Sequence, residues 1–256
     1  VCKKRMEKAV VLNAKNKIKK GRKKMGHEYS GQIVTLLKKH QNSENREAME
    51  AYMRNQFQFF GIRTPERTAL LRDFLKEHGK PQVEELPNIV RSLWSEPQRE
   101  CQYIALSLLD KQSRHLTKDH LPFLEEIITD KSWWDTVDHI APKHVGKIYQ
   151  TEEDDAYLEK WIHSDYMWLN RISILHQLKY KEKTDQGRLF RYILLHNESK
   201  EFFIQKAIGW ALREYSKTDP EAVQRFIESE KLAPLSKREG MKHIHRKEKE
   251  GKIVEK

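Results

Sequence analysis

Four short segments recur at a nearly constant interval: Glu100-Cys-Gln-Tyr-Ile, Trp134-Asp-Thr-Val-Asp, Trp168-Leu-Asn-Arg-Ile and Phe203-Ile-Gln-Lys-Ala begin 34, 34 and 35 residues apart. A period of that length holds two helices and their turns, a unit too small to bury its own apolar face. Stacking such units end to end buries a continuous core. From Gln32 onward, apolar residues fall at three- and four-residue spacing with few alternating β-branched runs, so the chain reads as all-α. The predicted architecture is an α-solenoid in which one helix of each pair lines a concave surface. Helix starts are predicted at Thr64-Pro65-Glu66, Ser95-Glu96-Pro97 and Asp219-Pro220-Glu221, each with a capping residue or a proline suited to a first turn.

The repeat places Trp134, Trp168 and Phe203 at equivalent positions, with Arg171 and Lys206 three residues behind the last two. On periodicity alone, core packing is the simpler account of these aromatics.

Charge sets a second bound. Across 256 residues, 49 basic side chains exceed 38 acidic ones, a net charge of +11 that favours anionic partners such as nucleic acid. Residues 1–24 hold eleven of the basic residues and one acid, which leaves a nearly balanced body. That segment lacks a core-forming pattern and is followed by Met25. It reads as a basic extension, disordered or upstream of the native start, that would add nonspecific phosphate attraction without lesion information. The expected division is therefore this extension, a single domain over residues 25–245, and a charged tail over residues 246–256.

Cys2 and Cys101 are the only cysteines, so neither a disulfide framework nor a paired-thiol metal motif is available. No apolar run approaches the eighteen residues of a membrane span, and no secretory segment is evident. These features point to a cytoplasmic protein. No Gly-rich phosphate loop, HExxH, CxxC or GxSxG occurs, and His243-Ile-His245 has no partner spacing for a metal. The expectation is an activity without metal or cofactor.

The densest local signal is Lys131-Ser-Trp-Trp-Asp-Thr-Val-Asp138. At about 100° per residue, adjacent tryptophans on a helix diverge, and Trp134 shares a face with Asp138 four residues on. An aromatic face beside a carboxylate suits a cation. A bland alternative has Ser132 capping the helix, both tryptophans packed and both aspartates solvated. A second signal lies in Lys200-Glu-Phe-Phe-Ile-Gln-Lys-Ala-Ile-Gly-Trp-Ala-Leu-Arg213. Gly209 inside a helix costs about 1 kcal/mol against alanine and implies close packing or another backbone nearby. Arg213 sits three residues from Trp210, a pairing suited to a sugar-phosphate backbone or to a surface cation–π contact.

These two segments closely resemble the bacterial AlkD-type alkylpurine DNA glycosylases. The resemblance extends from about Gln32 through Phe59-Phe-Gly-Ile-Arg-Thr-Pro-Glu-Arg67 to Leu232-Ala-Pro-Leu-Ser-Lys-Arg-Glu239. It implies a HEAT-like superhelix cradling duplex DNA, and hydrolysis of the N-glycosidic bond of cationic N3- or N7-alkylated purines such as 3-methyladenine and 7-methylguanine. Carried onto this sequence, the catalytic constellation falls on Trp134, Asp138 and Trp210. Arg171, Arg213 and, more loosely, Tyr52 fall at positions expected to meet DNA. The implied partner is double-stranded DNA containing alkylated purines; a monomer is expected, and the open groove of a solenoid suggests base excision repair without a base-flipping pocket. The alternative is a noncatalytic HEAT-like repeat protein that binds damaged or branched DNA.

Overall fold

The computed structural model describes residues 26–151 and 154–251. The extension expected over residues 1–24 and the last residues of the expected tail lie outside the described residues. The chain divides into two compact units, one ending at His115 and the other starting at Leu116. Both are helical, and no strand occurs among the described residues. The all-α reading and its solenoid organisation stand. None of the helices among the described residues is long and apolar enough to cross a membrane.

In the first unit, α1 covers residues 26–39 and is followed by α2 (Ser43–Tyr52), α3 (Thr64–His78), α4 (Leu86–Ser95) and α5 (Arg99–Gln112). The α4 face that packs on α5 buries Leu86, Ile89, Val90, Leu93 and Trp94, the three- and four-residue spacing of an amphipathic helix. Ser95-Glu96-Pro97 proves to be a helix end rather than a start. Pro97 drives the preceding residue out of the helical region, and Glu96 is extended at φ −64°, ψ 142°. The next helix therefore waits until Arg99.

The loop between α2 and α3 is held from below by one carboxylate. Glu100, fully buried, accepts from the backbone N–H groups of Phe60, Gly61 and Ile62 at 2.9–3.0 Å, so three donors that would otherwise be orphaned are satisfied. Gly61 adopts φ +88°, and a Cβ there would lie 1.9 Å from the Asn42 carbonyl oxygen. Only glycine fits this turn.

The second unit contains α6 (Leu121–Thr129), α7 (Trp134–Ile140), the short α8 (Gly146–Ile148), α9 (Ala156–Ile162), α10 (Met167–Leu175), α11 (Gln186–Leu195), α12 (Phe202–Tyr215), α13 (Pro220–Ser229) and α14 (Pro234–Lys249). A π-helical turn over Ala141–Val145 joins α7 to α8, where Pro142 has no N–H to continue the α-helical ladder. Asp219 caps α13 as predicted, accepting from the Ala222 N–H. The helix of α14 continues to Lys249, into the expected tail.

Repetition shows in the polar contacts as well as in the core. Glu125 of α6 accepts from Lys160 and from the Trp161 indole of α9. One period on, Glu159 of α9 accepts from Arg191 and from the Tyr192 hydroxyl of α11. The same carboxylate position thus pins each first helix to the next. A second device recurs across both units. The Gln102 amide donates to three carbonyls at the end of α4 (Leu93, Trp94 and Glu96), and Asn170 donates likewise to Trp161, Ile162 and Ser164 after α9. A buried amide on the second helix of a pair therefore satisfies the orphan carbonyls of the first.

Candidate nucleic-acid interface

Lys131, at φ +49°, turns the chain out of α6, and Trp133 is extended at φ −158°, ψ 162° immediately before α7. This geometry sends the two adjacent tryptophans apart. Trp133 packs among Trp168 and Phe203, with ring centroids 5.9 and 5.3 Å away, whereas Trp134 faces a cleft of about 280 Å³. Ser132 does not cap the helix. Its hydroxyl donates to the Ile128 carbonyl and pairs with the Tyr166 hydroxyl, so the bland alternative fails at the cap.

One turn along α7, Asp138 reaches the same cleft. Its carboxylate is gripped by both edges of one guanidinium: Arg171 Nε donates to Oδ1 at 2.7 Å and Nη2 to Oδ2 at 2.8 Å. The third nitrogen, Nη1, donates to the Phe203 carbonyl. Arg171 is almost entirely buried, 5% exposed at its side chain against 17% for Asp138. A guanidinium with its donors so committed is a fixed counter-ion rather than a free hand for phosphate. Burial pushes the Asp138 carboxyl above its usual range and nearby Asp135 adds to the rise, although the hydrogen bonds and charge of Arg171 pull the other way.

The opposite wall comes from α12, which contributes Phe203, Lys206, Trp210 and Arg213, and from Glu239 of α14. Gly209 lets these two helices meet. A Cβ at that position would lie 2.4 Å from the Glu239 Cβ and 3.1 Å from the Ser236 carbonyl oxygen. The packing explanation for this glycine is the one observed. Gly209→Ala should gain helix propensity, about 1 kcal/mol, and lose more by forcing α12 and α14 apart, so the net loss in a thermal melt should be about 1–2 kcal/mol.

Glu239 is 6% exposed at its side chain and accepts ion pairs from Lys206 at 3.1 Å, Arg213 at 2.9 Å and Lys242 at 2.7 Å. Burial opposes its ionisation, yet hydrogen bonds from Lys242 and Lys206 and their charges outweigh that and hold the carboxyl down at about 2. The cleft thus contains two carboxylates with pKa values pushed in opposite directions.

Of the residues picked out in the sequence, Trp134, Asp138, Arg171, Trp210 and Arg213 meet at this cleft. Tyr52 lies in the first unit, in the last turn of α2, with 72% of its surface exposed. Sequence reasoning assigned no role to Glu239 or to the exposed Phe202 at the cleft. Nothing in Leu232-Ala-Pro-Leu-Ser-Lys-Arg-Glu239 singles Glu239 out, and only Gly209 hints that another helix comes close.

Residues 33–244 match the family described as DNA alkylation repair enzyme. Among solved structures, the chain is similar to a protein described as "Predicted DNA alkylation repair enzyme from Enterococcus faecalis", with 34% identity and a TM-score of 0.74 over 80% of this chain and 96% of that one. No match was found among curated proteins.

Proposed function

The chain belongs to the DNA alkylation repair enzyme family, and from that premise we propose that it is a monofunctional DNA glycosylase. It hydrolyses the N-glycosidic bond of cationic N3- or N7-alkylated purines in duplex DNA. The observation that carries this reading is the placement of the Asp138 carboxylate in a cleft lined by Trp134 and Trp210.

Alkylation at N3 or N7 gives the purine a positive charge and makes it a good leaving group, so little acid catalysis is needed. As the bond breaks, positive charge moves onto the deoxyribose. The Asp138 carboxylate stabilises that oxocarbenium character and positions the attacking water. Trp134 and Trp210 present π faces that favour a cation over a neutral group. Arg171 is a positioning residue, because its two-point grip fixes the direction of the carboxylate before reaction. Phosphate contact falls to Lys206 and Arg213, which are more exposed.

Selection by charge and bond lability needs no enclosing base pocket. The enzyme acts on the lesion from the backbone side, tolerates bulky alkyl groups and ignores neutral lesions. Purified protein should release 7-methylguanine from methylated duplex and leave uracil-containing duplex intact. Borohydride should trap no covalent adduct, since water rather than a lysine is the nucleophile. Comparable release of uracil, or a trapped Schiff base, would sink this mechanism.

The two-point Arg171–Asp138 pair also suits a second reading, a noncatalytic DNA-binding scaffold in which that ion pair is purely structural. Under it, the folded protein binds duplex but releases no base.

A further inference from the structure

The α12–α14 contact does more than pack two helices. Gly209 brings the α14 backbone so close that Glu239 sits beneath the α12 side chains at the cleft. Its Oε1 takes Lys206 and Lys242, and its Oε2 takes Arg213. The carboxylate is buried, while the three cations are 31–51% exposed. Cations held from behind and open in front are preorganised to meet an anion from solvent, since their rotamer freedom is already spent. Lys206 lies about one turn and Arg213 about three turns along α12, flanking Trp210 on the cleft wall.

We propose that Glu239 is a positioning residue that holds Lys206 and Arg213 as a paired clamp for the phosphodiester next to the excised nucleotide. The inference rests on the glycosylase reading for its catalytic half, and on DNA binding alone for the other half. Glu239 touches neither phosphate nor sugar. It trades affinity for aim: its negative charge weakens the attraction of the cleft for DNA, and its two oxygens fix where the cations point. Loss of the charge and loss of the aim therefore act in opposite directions on binding and on rate.

The test is Glu239→Gln in the full chain, with Glu239→Asp and the double variant Lys206→Met/Arg213→Met beside it. Two quantities are read: the salt dependence of binding to undamaged duplex, and single-turnover release of 7-methylguanine. Glu239→Gln should bind undamaged duplex more tightly, about threefold at low salt, with a slope of log K against log salt steeper by up to about one. It should release base about tenfold more slowly. Glu239→Asp should restore part of the rate. In the Lys206→Met/Arg213→Met background, Glu239→Gln should change neither quantity further, because positions that act through one another are not additive. Weaker binding and slower release together, in a variant that still folds, would make Glu239 a purely structural residue and overturn the proposal. So would an undiminished effect of Glu239→Gln after both cations are removed. If no variant or parent releases base, the glycosylase reading has failed. The binding arm then still decides, because a clamp requires the tighter, steeper binding and its disappearance with the two cations.

Discussion

Asp138→Asn should slow release of 7-methylguanine by about 10²–10³-fold, the effect of removing one preorganised electrostatic group from a transition state. Duplex binding should be largely retained, because Lys206 and Arg213, the more exposed cations of the cleft, keep their charge. The substitution preserves shape and one oxygen, so the amide still meets one edge of the Arg171 guanidinium. What it removes is the negative charge opposite the developing oxocarbenium. In the parent, the acid limb of the rate should lie above the ordinary carboxylate range near pH 3.9, since burial holds the Asp138 carboxyl up. The variant should lack that limb. Equal losses of binding and release would instead mean that Asp138 serves the fold through Arg171.

Arg171→Met should give the largest loss of stability, about 3–5 kcal/mol near pH 7, because it leaves a buried carboxylate without its partner. The loss should depend on pH with a definite sign. Arg171 supplies the influences that lower the Asp138 pKa, so without it the folded-state value climbs further above the unfolded value of about 3.9. A group whose folded pKa is raised favours folding below the unfolded pKa, and that contribution is lost as pH rises through the folded value. The deficit of Arg171→Met should therefore be greatest at neutral pH and shrink on acidification towards pH 4, as read from denaturant midpoints along a pH series. Glu239 has the opposite sign. With its carboxyl held at about 2, its contribution is present above about pH 4.3 and lost as pH falls through 2. The two carboxylates can thus be told apart in the same titration.

Much of the cleft was legible in the sequence wherever one helix supplied both partners. Trp134 with Asp138, and Trp210 with Arg213, follow from helical spacing alone. The repeat of 34 residues was equally plain, yet it blurred one assignment. Trp168 is the second residue of α10, whereas Trp134 is the first of α7. A shift of one residue turns a side chain by about 100°, so Trp168 is buried, packing against Trp133 and Phe203, while Trp134 faces the cleft. Contacts between helices were harder to read. Arg171 resembled a cationic surface residue because nothing in Trp168-Leu-Asn-Arg-Ile shows that Asp138, almost one period earlier, meets it across α7 and α10. Glu239 was hidden for the same reason: its three cations come from two helices, and the close approach that buries it is written only in the missing Cβ of Gly209. The false start at Ser95 arose because Ser-Glu-Pro fits a helix opening and a helix break equally well, and the clash of Pro97 with a helical Glu96 decided for the break.

The most direct test of the account is a single-turnover time course of free 7-methylguanine released from methylated duplex by the purified parent protein, with chelator present throughout. The account predicts release of intact base with abasic sites formed in equal number and no strand cleavage. A folded protein that binds the duplex and releases no base would contradict it and leave a DNA-binding scaffold.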